Sequence, residues 1–536
     1  MQKRATSLFL VICAIFSLIT LKIISLNSST YAGVEKTNAT RTVTVGESRG
    51  NIYDTNLRRL VATEEKKIAV AKPGAYSLKS IEKLVNERDT EEIIDEIANG
   101  YPVMFETYET IENDDIMTFS VPLRYTNNNN IASHIIGYLD GEGNAVSGIE
   151  KAYDDFLKES SGKLSVTFNV DANGKILSGF IPTINDENFN SKEGVVLTLD
   201  EEIQRVCEKA MDDGSISSGA CVVLNCADAA ITACVSRPDF DIGNIAAALN
   251  DANSPLINRV FTAYPVGSVF KPILSAFMLE NDQSIADYNC TGEITIGDTS
   301  YGCNNKTAHG KIGLDEALQV SCNTFFINMT KKADGEKLYD FCISLGFSQS
   351  THLAGDMYSP EGNLPTADEL RNKGARANFS FGQGRLTVTP LQMAAAYLAI
   401  ADGGYYRYPY LVKGTLDENG FLTENEKKPQ SKVMSKETSE KMRELLQKVV
   451  TEGNAYNGEA KTCTTAGKTG TAQSGIYDIN GKEILRTWFV GFFPASDPLY
   501  VVAVMKENGT SGGADCGPVF SQIADDVMEI IINRAN

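Results

Sequence analysis

The chain has 536 residues, with 49 Lys plus Arg against 69 Asp plus Glu, a net charge of −20 at pH 7. With 42% hydrophobic and 22% charged residues it is globular rather than disordered, long enough for more than one domain, and its acidity argues against nucleic acid as a partner. Three histidines exclude a many-histidine metal enzyme, and eleven cysteines cannot all pair within one chain.

The first four residues, Met1 to Arg4, form a short basic tip. Residues 5–26 are apolar apart from Lys22 near the outer end. A helix of that length covers roughly the 30 Å hydrocarbon core, and Lys22 can snorkel to the interface. The run exceeds the ordinary apolar stretch of a cleaved signal peptide, so the sequence predicts one retained transmembrane helix. Lys3 and Arg4 place the N-terminus inside, with everything from about Asn27 onward outside the cell membrane.

Residues 27–195 alternate short strand-like segments with polar loops and predict an irregular α+β accessory domain, a plain spacer being the other reading. Residues 41–54 read as a strand, a turn and a second strand, and residues 77–100 contain a charged helix. At Gly194 the pattern changes. VVLTLD predicts a strand, and Asp200 suits the N-cap of a helix carrying Ile203, Val206, Cys207 and Ala210 on one face. GACVVLNC and AAITACVS predict a hairpin, TWFVGFFP and YVVAVMKEN two further strands, and VFSQIADDVMEIIINRA a closing helix. Strands at both ends of residues 196–536 with helices between predict an α+β domain whose sheet is assembled from both halves.

Three short motifs stand in order within that second domain. Ser268-Val-Phe-Lys271 is an S-x-x-K, Ser321-Cys-Asn323 an S-x-N, and Lys468-Thr469-Gly470 a K-T-G that continues to Thr471. S-x-x-K alone is weak, since Ser80/Lys83 and Ser160/Lys163 also fit it as surface pairs. Context favours Ser268. Pro265 and Gly267 precede it and a helical apolar pattern follows, so the serine stands at a helix start, where free N–H groups favour a developing oxyanion. Lys271, three residues on, shares its face, and burial with the nearby charge of Lys468 would lower its pKa enough for it to act as a base.

The chain resembles the class B penicillin-binding proteins, monofunctional peptidoglycan D,D-transpeptidases. Beyond the trio, the likeness runs through residues 49–54 (RGNIYD), 132–138, 148–153, 196–204, 254–259, 380–384 (SFGQG), 388–393 and 488–492. It departs at Val266, where proline is common, in the 225–229 turn, and at Arg486-Thr487 before Trp488. The resemblance implies a β-lactamase-like serine-transpeptidase fold on an N-terminal pedestal. Ser268 would attack the carbonyl between two terminal D-alanines and Lys271 would take its proton. The N–H groups of Ser268 and Thr471 would bind the oxyanion. Ser321 would relay a proton to the leaving amine, Asn323 would orient Lys271 and the substrate amide, and Lys468, Thr469 and Thr471 would receive the substrate carboxylate beside Gly470. It also implies acylation by β-lactams, no cofactor for catalysis, and a polytopic membrane glycosyltransferase as partner. A D,D-carboxypeptidase, a β-lactamase, or a mainly non-catalytic activator of that glycosyltransferase are the alternatives.

Between the first two motifs lie Asp287, Cys290, Cys303 and His309. Two thiols, an imidazole and a carboxylate suit tetrahedral zinc bracing the loop that carries Ser321. A Cys290–Cys303 disulfide, or two free thiols, are the other readings. Cys221, Cys226 and Cys234 fall in strand-like runs and read as buried small hydrophobes.

Overall fold

A computed structural model describes residues 9, 11–22, 39–74, 87–111, 115–126, 130–281, 287–331 and 333–535. Residues 11–22 are helical, about 18 Å of helix, while both ends of the predicted 5–26 anchor fall outside the described residues. Among the described residues no helix is long and apolar enough to cross a membrane. Of the charged stretch at 77–100, residues 87–98 form the helix Glu87–Ala98, and residues 77–86 lie outside the described residues.

The chain forms two compact units, and they interleave where the sequence reading has one boundary at 195/196. The smaller comprises residues 1–47, 65–121 and 162–189, the larger 48–64, 122–161 and 190–536. The smaller unit holds two three-stranded sheets. One orders Ala39–Ser48, Gly162–Val170 and Thr183–Glu187, the other Val103–Thr107, Glu64–Ala71 and Ile116–Leu123. The two-residue period of the strand Glu64–Ala71 serves two cores. Ile68 and Val70 pack with Val45, Val166 and Phe168, while Ala69 and Ala71 pack with Ile93, Ile97 and Phe105. Residues 41–54 contain two strands as expected, but the second, Asn51–Tyr53, leaves for the larger unit. There it pairs in parallel with Gly194–Leu197.

The larger unit is built on a five-stranded antiparallel sheet. We number its strands β1 (Gly219–Asn225), β2 (Ile231–Arg237), β3 (Ala466–Tyr477), β4 (Glu483–Phe493) and β5 (Tyr500–Gly509). Their spatial order is β2-β1-β5-β4-β3, so the sheet joins the two ends of the domain, as the sequence predicts. Apolar runs explain the strands: Ala220 to Leu224, Trp488 to Val490 and Val501 to Met505 are all buried. Helix α1 (Glu201–Asp213) begins where Asp200 accepts N–H bonds from Glu202 (3.1 Å) and Ile203 (3.3 Å), the predicted cap. Helix α2 is Lys271–Glu280, α3 Asn323–Thr330, α4 Pro390–Ala401, α5 Lys436–Thr451 and α6 Gly517–Ala535. Every residue of α4 is buried, as befits a helix apolar all round, and it lies against β1, β4 and β5. Helices α1 and α6 pack on each other, and α1 on β2.

The motif box at 49–54 belongs to this larger unit. Glu150, fully buried, accepts from Arg49 (2.9 Å), from Arg124 (2.7 and 2.8 Å) and from the Tyr125 hydroxyl (2.8 Å). The boxes at 49–54 and 148–153 are thereby fastened, with Arg124 and Tyr125, around one carboxylate.

Candidate active site

Ser268 sits in a single turn of 3₁₀ helix, Gly267–Phe270, that runs directly into α2. Pro272 occupies the first turn, where its missing N–H costs nothing. Gly267 is required there. Its φ is +61°, and a Cβ would stand 2.8 Å from the Thr471 carbonyl oxygen. The K-T-G strand β3 therefore lies directly against the serine turn. On its other side Gly382, from the SFGQG segment, has φ +72° and a carbonyl that accepts from the Gly267 N–H at 2.8 Å. A Cβ at Gly382 would come within 2.0 Å of the Gly267 oxygen. Trp488 Nε1 donates to the Pro265 carbonyl (3.0 Å) and Tyr397 to that of Val269 (2.8 Å), fixing the turn before and after the serine.

Lys271 is fully buried and its ammonium has three acceptors: Ser321 O (2.7 Å), Ser321 Oγ (3.0 Å) and Asn323 Oδ1 (2.7 Å). The Phe326 ring lies 5.4 Å below it. Asn323 is oriented in turn by donating to the Gly302 carbonyl at 3.0 Å. Ser321 holds φ at +55°, a left-handed conformation rare for serine, which turns its carbonyl and its hydroxyl together toward Lys271. Burial lowers the Lys271 pKa to about 7, against an opposing pull from the Cys322 and Cys303 sulfurs.

Lys468, also fully buried, is pushed well below the usual lysine range, first by burial and then by the charge of Lys271. Its ammonium donates to Thr469 O (3.1 Å) and Thr469 Oγ1 (3.3 Å). Thr469 reaches Asn454 Oδ1 at 3.4 Å, and the Gly512 N–H donates to Thr471 Oγ1 at 3.3 Å. Residues 268, 271, 321, 323 and 468–471 thus come together as the motif order implies. Gly382, Trp488, Tyr397 and Asn454 support them and were not singled out from the sequence, although Gly382 and Trp488 lie inside recognised boxes.

The metal-ligand set differs from the sequence reading in one member. Cys290, Cys303, His309 and Cys322 bring their ligand atoms within 4.8 Å of one another. Asp287 is not among them, and its exposed carboxylate instead pairs with Lys311 at 3.0 Å. The strand Tyr288–Cys290 pairs antiparallel with Gly310–Ile312, which sets Asp287 at the strand end while Cys290 faces inward. The fourth member of the cluster is Cys322, the middle residue of the S-x-N motif. The Cys290–Cys303 and Cys303–Cys322 sulfurs are 3.8 and 3.6 Å apart, and Cys290 Sγ is 3.3 Å from His309 Nδ1. A zinc tetrahedron with bonds of roughly 2.3 Å to sulfur has edges of about 3.8 Å, so this buried donor set fits zinc. A hydrogen bond from Cys322 holds the Cys303 thiol well below its ordinary range, and the same contact pushes Cys322 up.

Residues 219–528 match the penicillin binding protein transpeptidase domain. The chain belongs to the penicillin-binding protein transpeptidase family. Its relatives include stage V sporulation protein D of Bacillus subtilis, 32% identical over 421 residues covering 74% of this chain and 62% of the relative. The peptidoglycan D,D-transpeptidase MrdA of Acinetobacter baumannii is 27% identical over 443 residues, 73% of this chain and 64% of the relative. The chain therefore spans under two thirds of the length of these curated relatives. Among solved structures, the D,D-transpeptidase domain of a peptidoglycan glycosyltransferase from Eggerthella lenta superposes with a TM-score of 0.65 at 25% identity, over 90% of this chain and 99% of that one.

Proposed function

We propose that this chain is a peptidoglycan D,D-transpeptidase working through an acyl-serine intermediate, and hence a target of β-lactams. The observation that carries the reading is the buried Lys271 ammonium, held between Ser321 Oγ and Asn323 Oδ1 one helical turn from Ser268. In its neutral form Lys271 takes the Ser268 proton as Oγ attacks the carbonyl between two terminal D-alanines of a stem peptide. The N–H groups of Ser268 and Thr471 bind the oxyanion. The proton passes from Lys271 through Ser321 Oγ to the amine, the C–N bond breaks, and free D-alanine leaves. An amine of a neighbouring strand then attacks the ester, returns its surplus proton to Lys271, and Ser268 is restored as the alkoxide takes that proton back. Lys468, Thr469 and Thr471 receive the substrate carboxylate, and a β-lactam acylates Ser268 by the same first step.

A fluorescent penicillin should label the protein and fail to label Ser268→Ala. Labelling that persists in the variant refutes the nucleophile. Incubation with a pentapeptide substrate separates the related activities: cross-linked product supports the transpeptidase, whereas D-alanine release without it indicates a carboxypeptidase.

The location rests on the apolar run at residues 5–26, and the partner on the family resemblance. Residues 5–26 anchor the chain in the cell membrane with the N-terminus inside and the catalytic unit outside, working beside a polytopic glycosyltransferase. Zinc held by Cys290, Cys303, His309 and Cys322 would supply a structural cross-link beneath Ser321 and no step of acyl transfer. Elemental analysis finding less than about one zinc per chain in protein purified without chelators refutes that assignment.

A further inference from the structure

A cavity of about 540 Å³ opens in the larger unit, lined by none of the residues of the candidate catalytic set. It is bounded by the hairpin of strands Glu293–Ile296 and Thr299–Gly302, by α3, and by the short helix Lys373–Phe379. Four cationic side chains line it, Lys331, Arg371, Lys373 and Arg376, over the apolar surfaces of Ile296 and Ile327. On a chain of net charge −20 such a concentration of positive charge is unexpected.

The four cations are not equally engaged. Arg376 is committed to structure: its guanidinium donates to the carbonyls of Leu370 (2.8 Å), Ala333 (3.0 Å) and Lys331 (3.4 Å). Among the described residues the cavity's ion pairs are those of Arg371, to Asp368 at 2.9 Å and Glu336 at 3.5 Å. Lys331 and Lys373, both exposed, have none. Two exposed lysines over an apolar floor are therefore free to meet an anionic ligand with small apolar groups.

Two elements tie the cavity to the catalytic centre. Helix α3 starts at Asn323, which holds Lys271, and its last turn lines the cavity at Ile327 and Thr330, roughly 10 Å along the axis. The hairpin spans the same interval. Its Gly302 end accepts from Asn323, its Ile296–Gly297 tip lines the cavity, and Tyr301 donates to the Gly374 carbonyl at 3.4 Å. An extended peptide of four residues covers roughly 13 Å, comparable to the roughly 10 Å that α3 runs from Asn323 to the cavity.

We propose that this cavity is the acceptor subsite, which binds the free carboxylate of the incoming stem peptide through Lys331 and Lys373. The proposal rests on the transpeptidase reading above. Transfer needs two peptides, and the donor's terminal carboxylate is already provided for at Lys468, Thr469 and Thr471. The alanine methyls and aliphatic stems of a peptide match the apolar floor. A polyphosphate wall polymer would leave the partly exposed Ile296 side chain without a partner.

The test compares wild type with Lys373→Glu and Lys331→Glu/Lys373→Glu, which change exposed side chains only. Acylation by fluorescent penicillin should stay within about twofold of wild type in each. The KM for a soluble acceptor stem peptide should rise about tenfold in the double variant, with little change in kcat. Amidating the acceptor's carboxylate should raise KM by a similar factor in wild type and leave the double variant unaffected. An unchanged acceptor KM in the double variant overturns the proposal while leaving the transpeptidase reading intact. Inhibition of transfer by polyglycerol phosphate that depends on the two lysines, with no carboxylate effect, overturns it in favour of a polyanion site. Absence of acylation in wild type refutes the underlying reading instead.

Discussion

Acylation of Ser268 should pass through a single inflection near pH 7. An ordinary lysine has a pKa near 10.5, and burial brings Lys271 to about 7, a displacement worth about 5 kcal/mol. At pH 7.4 about 70% of Lys271 is then neutral, against about 0.1% of an unperturbed lysine, so the fold gains nearly three orders of magnitude in available base. The sign follows from the neutral form being the active one: the rate falls about tenfold per pH unit below the inflection and is flat above it. The assay is the second-order rate constant for fluorescent penicillin between pH 5.5 and 9. Lys271→Arg keeps the charge but cannot deprotonate, and should lose at least about a thousandfold. A rate independent of pH over that range, or one still climbing at unit slope at pH 9, would show that Lys271 is not the base at the pKa its burial implies.

At the proposed zinc site, Cys322→Ser should lower the zinc content and the thermal midpoint, whereas Asp287→Ala should leave both unchanged, as read by elemental analysis and calorimetry. Glu150→Ala should destabilise the larger unit by roughly 3 kcal/mol in denaturant titration, because it removes the buried carboxylate that pairs with Arg124 and leaves Arg49 only its pair with Asp154. Gly382→Ala should cost at least about tenfold in acylation rate with secondary structure retained by circular dichroism, since a Cβ there displaces the Gly267 carbonyl next to the nucleophile. Asn323→Ala frees the Lys271 ammonium of one acceptor and should slow acylation while leaving the Ser268 turn in place, checked by the same labelling assay.

Much of the active site was legible because its parts are local. Ser268 and Lys271 share one helical turn, Ser321 and Asn323 are two residues apart, and residues 468–471 follow one another along β3. Short-range periodicity likewise suffices for the Asp200 cap, the β1–β2 hairpin and the closing helix α6. Within the cysteine–histidine cluster the structure differs from the sequence expectation at the fourth member. Asp287 is near Cys290 in sequence, but the pairing of strand Tyr288–Cys290 with Gly310–Ile312 leaves it beside Lys311, while Cys322 arrives from the S-x-N loop 32 residues beyond Cys290.

The sequence pointed to the proposed chemistry, with Ser268 as nucleophile and Lys271 as base, and to a sheet closed from both ends of residues 196–536. Residue types and their spacing carry that information, because hydrogen-bonding capacity and helical or strand period are properties of the local chain. Only the tertiary structure decided what surrounds those groups. Burial of Lys271 and Lys468 in one interior, the approach of Gly382 to Gly267, the fastening of residues 49–54 around Glu150 and the substitution of Cys322 for Asp287 all depend on contacts between segments tens to hundreds of residues apart. Such contacts are set by packing and sheet pairing across the whole unit, which no local pattern encodes.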